Sequence, residues 1–191
     1  MLNSSYKLER NTEAAQPAVS VCDLQAQVSL SDSSCDDLLE AYESAARELI
    51  EAQTGRVLTS CTFTLYLDSF PDSDFYFPNG PLTAIDSIEY LVSGVWTAVA
   101  TDVYKMGRGA LSHQGVLLKD GQSWPTGIDD ESESVRINYT AGTANNKANQ
   151  AIKLMVAHWF ENREAVTQGT MSELPLAVQL IVKSLKVYTV K

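Results

Sequence analysis

Histidine is scarce in this chain, cysteine nearly so, and no long apolar run exists. Only two histidines are present, His113 and His158. A Ser–His pair needs a third orienting group and an oxyanion hole, and no GxSxG-type strand–turn–helix is found to supply them. His113 lies in the polar turn Ser112-His113-Gln114-Gly115 and reads as a loop residue. His158 sits in a helical stretch beside Trp159 and reads as a packed or capping residue. The three cysteines, Cys22, Cys35 and Cys61, lack CxxC spacing. Their odd number argues against a secreted disulfide framework, and a zinc site would want more ligands. Free thiols in a reducing cytoplasm are the expectation. No apolar run reaches the roughly 20 residues of a membrane span. The N-terminal stretch has no apolar core of the signal-peptide kind.

Positive charge is also short. Lys and Arg number 14 against 24 Asp and Glu, for a net charge of −10. A protein that coats nucleic acid by neutralising phosphates needs clustered Lys and Arg, so that class is disfavoured. A channel along which DNA slides without capture is still compatible. The imbalance is uneven: residues 1–50 are net −6, residues 51–142 net −7 and residues 143–191 net +3. An acidic body with a basic C-terminal end can meet copies of itself, or an acidic partner, through complementary surfaces.

What is present is an ordinary globular composition, 45% hydrophobic and 20% charged over 191 residues, enough for one domain or one domain with a sizeable insertion. Residues 1–19 are polar and end near Pro17, which predicts a flexible arm. Ser20 opens a short helix through Val28, with Asp23 at the capping-box position. Ser33 or Ser34 caps a second helix with Asp36 and Asp37 in its first turn. Leu38, Leu39, Tyr42, Ala45, Ala46, Leu49 and Ile50 form its apolar face, and Gly55 ends it. From Leu58 to about Thr140 the period falls to near two. Strands are predicted at Cys61–Leu67, Phe75–Phe77, Ile85–Val92, Val95–Thr97, Val103–Met106, Gly115–Leu118 and Val135–Tyr139. Helical spacing returns over roughly Asn146 to Arg163, with Ala148, Ile152, Met155, Trp159 and Phe160 on one face. Ser172 caps a last helix with Pro175 in its first turn and Leu176, Val178, Ile181, Val182 and Leu185 as its apolar positions. The fold class is therefore α+β: a core of about four helices (20–57 and 141–187) with an inserted antiparallel β module (58–140) and a tail (188–191).

Chemistry is hard to build on this framework. The acidic run Asp129-Asp130-Glu131-Ser132-Glu133 lacks the alternation, central Gly and closing Glu of a calcium loop, and reads as a solvated loop. Asp72-Ser73-Asp74 is similar. Gly107-Arg108-Gly109 lacks the length and Lys of a phosphate loop and reads as a turn. Trp96 and Trp124 are assigned to core.

The ordered set of segments resembles the tailed-phage head–tail connector (adaptor) family, long type with a β insertion. The likeness runs from about Val19 to Leu185. It is carried by Ile50-Glu51-Ala52-Gln53-Thr54-Gly55-Arg56, Leu67-Asp68-Ser69-Phe70-Pro71, Trp124-Pro125 and Val135 to Gly142. It is strongest at Ala157-His158-Trp159-Phe160-Glu161-Asn162-Arg163-Glu164 and Leu174-Pro175-Leu176-Ala177-Val178. The longer polar N-terminus and the Lys- and Tyr-containing end depart from the family pattern. The resemblance implies a non-enzymatic virion protein without cofactor, metal or membrane. It would form a ring in the neck below the portal protein, usually twelve-fold. The ring would receive the next neck or tail protein and let DNA pass without specific binding. Assembly would take place in the bacterial host cytoplasm. It further implies portal docking by the C-terminal segment, for which Lys183, Lys186, Val187, Tyr188, Thr189, Val190 and Lys191 are the candidates. Glu161 and Arg163, at the predicted end of the third helix, are candidates for a subunit-interface or helix-stabilising bond. Another neck ring, such as a stopper or tail-completion protein, is the alternative. A small hydrolase or sugar-binding module using the β insertion is a third.

Overall fold

The computed structural model describes residues 6–12, 16–71, 77–107, 115–162 and 175–186. The fold is an α+β mix, and the chain divides into two compact units.

Of the described residues, the first unit comprises 6–12, 60–71, 77–107 and 115–143. Its strands are β1 (Lys7–Arg10), β2 (Cys61–Leu67), β3 (Leu82–Val92), β4 (Val95–Ala98), β5 (Tyr104–Met106), β6 (Val116–Leu118) and β7 (Val135–Ala141). Five of them form an antiparallel sheet in the order β1-β2-β7-β3-β4, and β5 pairs with β6. The middle place falls to β7, whose inward residues Val135, Ile137, Tyr139 and Ala141 are all fully buried. Such strict alternation specifies register, because a one-residue slip would turn this whole set to the other face. Tyr139 stacks on Phe63 (centroids 5.3 Å) and meets Phe77 at 4.7 Å. Its hydroxyl donates to the Pro78 carbonyl at 3.0 Å, which satisfies the one polar atom it carries into the core. Burial pushes its phenol well above the ordinary range.

The β3–β4 hairpin turns on Ser93 and Gly94, both at positive φ (50° and 75°), as a two-residue hairpin turn requires. The Asp129 carboxylate accepts from both their backbone N–H groups at 2.9 Å. At least the first acid of the run expected to be a solvated loop is thus a clamp on this turn. The predicted flexible arm is also corrected in part: Lys7–Arg10 pair with β2, from Lys7 opposite Tyr66 to Arg10 opposite Phe63. The polar sequence concealed a strand because only Leu8 carries an apolar side chain into the pairing. Of the predicted strand at 75–77, Phe77 is buried outside any strand, while Phe75 and Tyr76 lie outside the described residues.

Of the described residues, the second unit comprises 16–59, 144–162 and 175–186. It holds α1 (Val21–Gln27), α2 (Asp36–Thr54), α3 (Asn146–Glu161) and α4 (Leu176–Leu185). One cluster joins Leu24, Leu39, Ala46, Ile50, Ile152, Met155, Val178 and Val182, with Tyr42, Leu49, Trp159 and Ile181 packed against it. Helical segments separated in sequence by about 100 residues therefore share one core, as their amphipathic faces predict. Tyr42 and Trp159 meet edge to face at 5.9 Å.

The helix ends are held in several ways. Ser20 caps α1, its hydroxyl accepting from Asp23 N, and Asn145 caps α3 by accepting from Lys147 N and Ala148 N. Gly55 closes α2 in the left-handed conformation (φ 68°). Neither Ser33 nor Ser34 caps α2. The residue before it is Cys35, which makes no side-chain cap bond. Asp32 instead accepts from Ser34 N, so a local turn takes up those serines. The predicted cap at Ser172 lies outside the described residues.

Candidate functional site

Three places carry unusual side-chain chemistry: a buried acid in the helical unit, the polar face of the sheet, and the outer face of α4.

The acid is Glu43, only 3% exposed in the middle of α2. One carboxylate oxygen accepts from Ala18 N at 2.8 Å and Val19 N at 3.3 Å; the other lies 3.6 Å from the Arg47 guanidinium one turn along. A buried carboxylate persists only when such partners replace water. Its work is to fasten the chain entering α1 onto α2. Arg56 has a similar role at the other end: its Nε donates to the Leu185 carbonyl at 2.7 Å, satisfying an acceptor that the last turn of α4 leaves open. Burial lowers the Arg56 pKa from its usual value.

On the sheet, a file of hydrogen bonds runs across the strands. Asn11 donates to Thr64 at 2.7 Å, Thr64 to Asn138 at 2.6 Å, Asn138 to Ser87 at 2.9 Å and Ser87 to Glu89 at 2.9 Å. Arg136 closes the file on Glu89, with Nε at 2.7 Å from the carboxylate, and stands 4.4 Å over the Trp96 ring. The members on β2, β3 and β7 are placed by the strand register, and Asn11 follows β1 directly. At the β1 edge, a hydrogen bond from Lys7 is the main cause that lowers the Glu9 pKa, and the same bond raises that of Lys7. The face is a polar surface whose side chains bond one another across the strands. The two tryptophans assigned to core are half-buried instead. Trp96 lies under Arg136, and Trp124 stacks on Phe70 (4.9 Å, parallel) while donating to the Pro71 carbonyl at 3.2 Å.

The third place is α4. Its inner face, Val178, Val182 and Leu185, is buried. Leu176, expected among the inward positions, is 71% exposed, and Leu180 one turn later is 61% exposed. Lys183 and Lys186 are exposed on the same helix. Sequence periodicity put Leu176 inside, but helical residues 176, 178, 181 and 182 span too wide an arc to share one face, and Leu176 falls on the outer side. Of the other docking candidates, Val187, Tyr188, Thr189, Val190 and Lys191 lie outside the described residues, as do Arg163 and His113. Glu161 is exposed in the last turn of α3. The described partner at that helix end is Asn162, whose amide donates to the His158 carbonyl at 2.9 Å and lies 3.3 Å from its ring Nδ1.

Among the described residues, no group of three or more His, Cys, Asp or Glu could hold a metal ion, and no helix is long and apolar enough to cross a membrane.

No protein-family model matches the chain, and no curated protein matches it. Solved structures do. A chain in the neck of an empty gene transfer agent particle, computed with C6 symmetry, is 21% identical with a TM-score of 0.77, over 97% of both chains. A chain in the virion of a native gene transfer agent particle is 22% identical at 0.75, over 96% of this chain and 97% of that one. A chain in the neck of the native particle, computed with C12 symmetry, is 21% identical at 0.75, over 97% of both. The fold, including both units, is thus one found in particle necks.

Proposed function

We propose that this chain is a structural virion protein, a head–tail connector that acts by forming a ring below the portal and joining the DNA-filled head to the tail, without catalysis. The observation that carries the reading is the likeness of fold, over nearly the whole chain, to chains from necks computed with rotational symmetry. The sequence segments that resemble the connector family support it independently. The net charge of −10 suits a wall that DNA passes without capture. Portal docking is assigned to the C-terminal end, Lys183 and Lys186 with residues 187–191. Glu161, in the last turn of α3, and Arg163, outside the described residues, are each assigned a subunit-interface or helix-stabilising role. Assembly takes place in the cytoplasm of the bacterial host.

The test is electron microscopy of portal-bearing heads mixed with the purified chain. A ring of density on the portal is expected, and deleting Val187 to Lys191 should abolish it while leaving the subunit folded. Attachment only to heads that already carry another neck protein would instead make the chain a stopper or tail-completion ring.

A further inference from the structure

Two outward faces of the helical unit are complementary to each other. On α4, Leu176 and Leu180 stand one turn apart in the middle of the solvent-facing side, 71% and 61% exposed, with Lys183 continuing the same stripe. Single exposed leucines are ordinary on a protein surface. A ridge of two on a ten-residue helix, opposite its buried face, is a feature to explain. On α2, the side turned away from Leu39, Ala46 and Ile50 carries Ala41, Ala45 and Ala52, all exposed, and these leave a shallow floor. Asp37, Glu40 and Glu48 edge that floor and are exposed as well. One face is large, apolar and basic. The other is small and acidic.

We propose that Leu176 and Leu180 of one copy seat on Ala41 and Ala45 of a second copy, with Lys183 meeting Glu48 or its acidic neighbours. The occupant is a second copy because both halves of the contact are present on the same chain, large side chains against small ones and opposite in sign of charge. A contact between two different faces is heterologous, and repeated by rotation it closes a ring, whereas a self-matching face would stop at a dimer. The inference rests on the ring reading above and names the surface that would build the ring. This takes Lys183 out of the portal-docking set and gives it to the contact between copies; Lys186, about 60° further round the helix, and the residues after it keep the portal role.

The experiment uses the full chain, followed across a concentration series by native mass spectrometry, with head attachment scored alongside. Wild type should assemble into rings. Leu180→Glu and Lys183→Glu should each weaken assembly by about tenfold or more, with an unchanged melting temperature because both side chains are exposed. Pairing Lys183→Glu with Glu48→Lys should restore it. In a Cys22→Ser background, mixing the single variants Leu180→Cys and Ala45→Cys should give a crosslinked heterodimer under oxidation. Rings that form normally from Leu180→Glu would overturn the interface and leave the ring reading intact. Loss of head attachment by Lys183→Glu with rings unaffected would assign the face to the portal and overturn the proposal. A crosslink formed within one chain carrying both cysteines, and not between chains, would give the face to its own subunit. Wild type that forms no ring free or on heads would overturn both readings.

Discussion

The sheet unit and the helical unit treat their outward faces in opposite ways. In the sheet, polar side chains from Asn11 to Arg136 bind one another across the strands. In the helical unit, the polar group that matters most, Glu43, is buried, while two leucines of α4 face outward. A surface whose hydrogen bonds are internally satisfied gains little from a new partner. An apolar ridge gains by being covered. The sheet unit exposes apolar side chains too, but Tyr6 and Val95 stand apart at its two opposite edges; the paired leucines of α4 are the ones proposed for association.

The contrast can be broken most severely at Glu43. Glu43→Ala strands two backbone N–H groups and Arg47 and should cost about 3–5 kcal/mol. Glu43→Gln keeps an acceptor and should cost less; equal losses would mean that charge alone holds the segment. In the sheet, Ile137→Ala empties the middle of β7 and should cost about 2–5 kcal/mol, read by denaturant unfolding, with amide exchange accelerating first in β2, β3 and β7. Glu89→Ala cuts the polar file at its charged end. A loss of about 1–3 kcal/mol is expected; a neutral result would show that the file adds no rigidity. Asn145→Ala removes the α3 cap, at about 1 kcal/mol, measurable as a lower melting temperature.

The smallest effect is one of pH. Hydrogen bonds from Ser20 first and Lys153 next hold the Asp23 carboxyl below its ordinary value of 3.8. Because the folded value is the lower one, this contribution is complete above about 3.8 and is lost as pH falls through the folded value. Acid-unfolding curves of wild type and Asp23→Asn should therefore differ near neutrality and converge at low pH. A difference that persisted to the acid end would contradict the linkage.

Much of this architecture was legible from period and punctuation. The faces of α2 (except Ala45, which is exposed) and α3, the Gly55 stop, the Asn-free turn at Ser93-Gly94 and the alternation of β7 each carry a local signal that packing then follows. What was illegible depended on partners distant in sequence. Strand β1 has little apolar pattern of its own and exists because β2 offers an edge. Glu43 looked like any acid on an amphipathic helix until Ala18 and Val19 came to it. Asp129 belonged to an unremarkable acidic run, but the β3–β4 turn needed an acceptor. On α4 the error was geometric: apolar residues occur round most of the helix, so composition could not say which leucines face out. The candidate docking residues were legible only as a basic, apolar end. The structure describes Lys183 and Lys186 and adds Leu176 and Leu180 beside them.

The central claim is that this chain works as a ring in a particle neck. Its most direct test is electron microscopy of intact particles carrying the chain, with the neck reconstructed without imposed symmetry. The account predicts a closed ring of copies of this fold directly below the portal. A single copy, an open or absent ring, or placement of the chain outside the neck would contradict it.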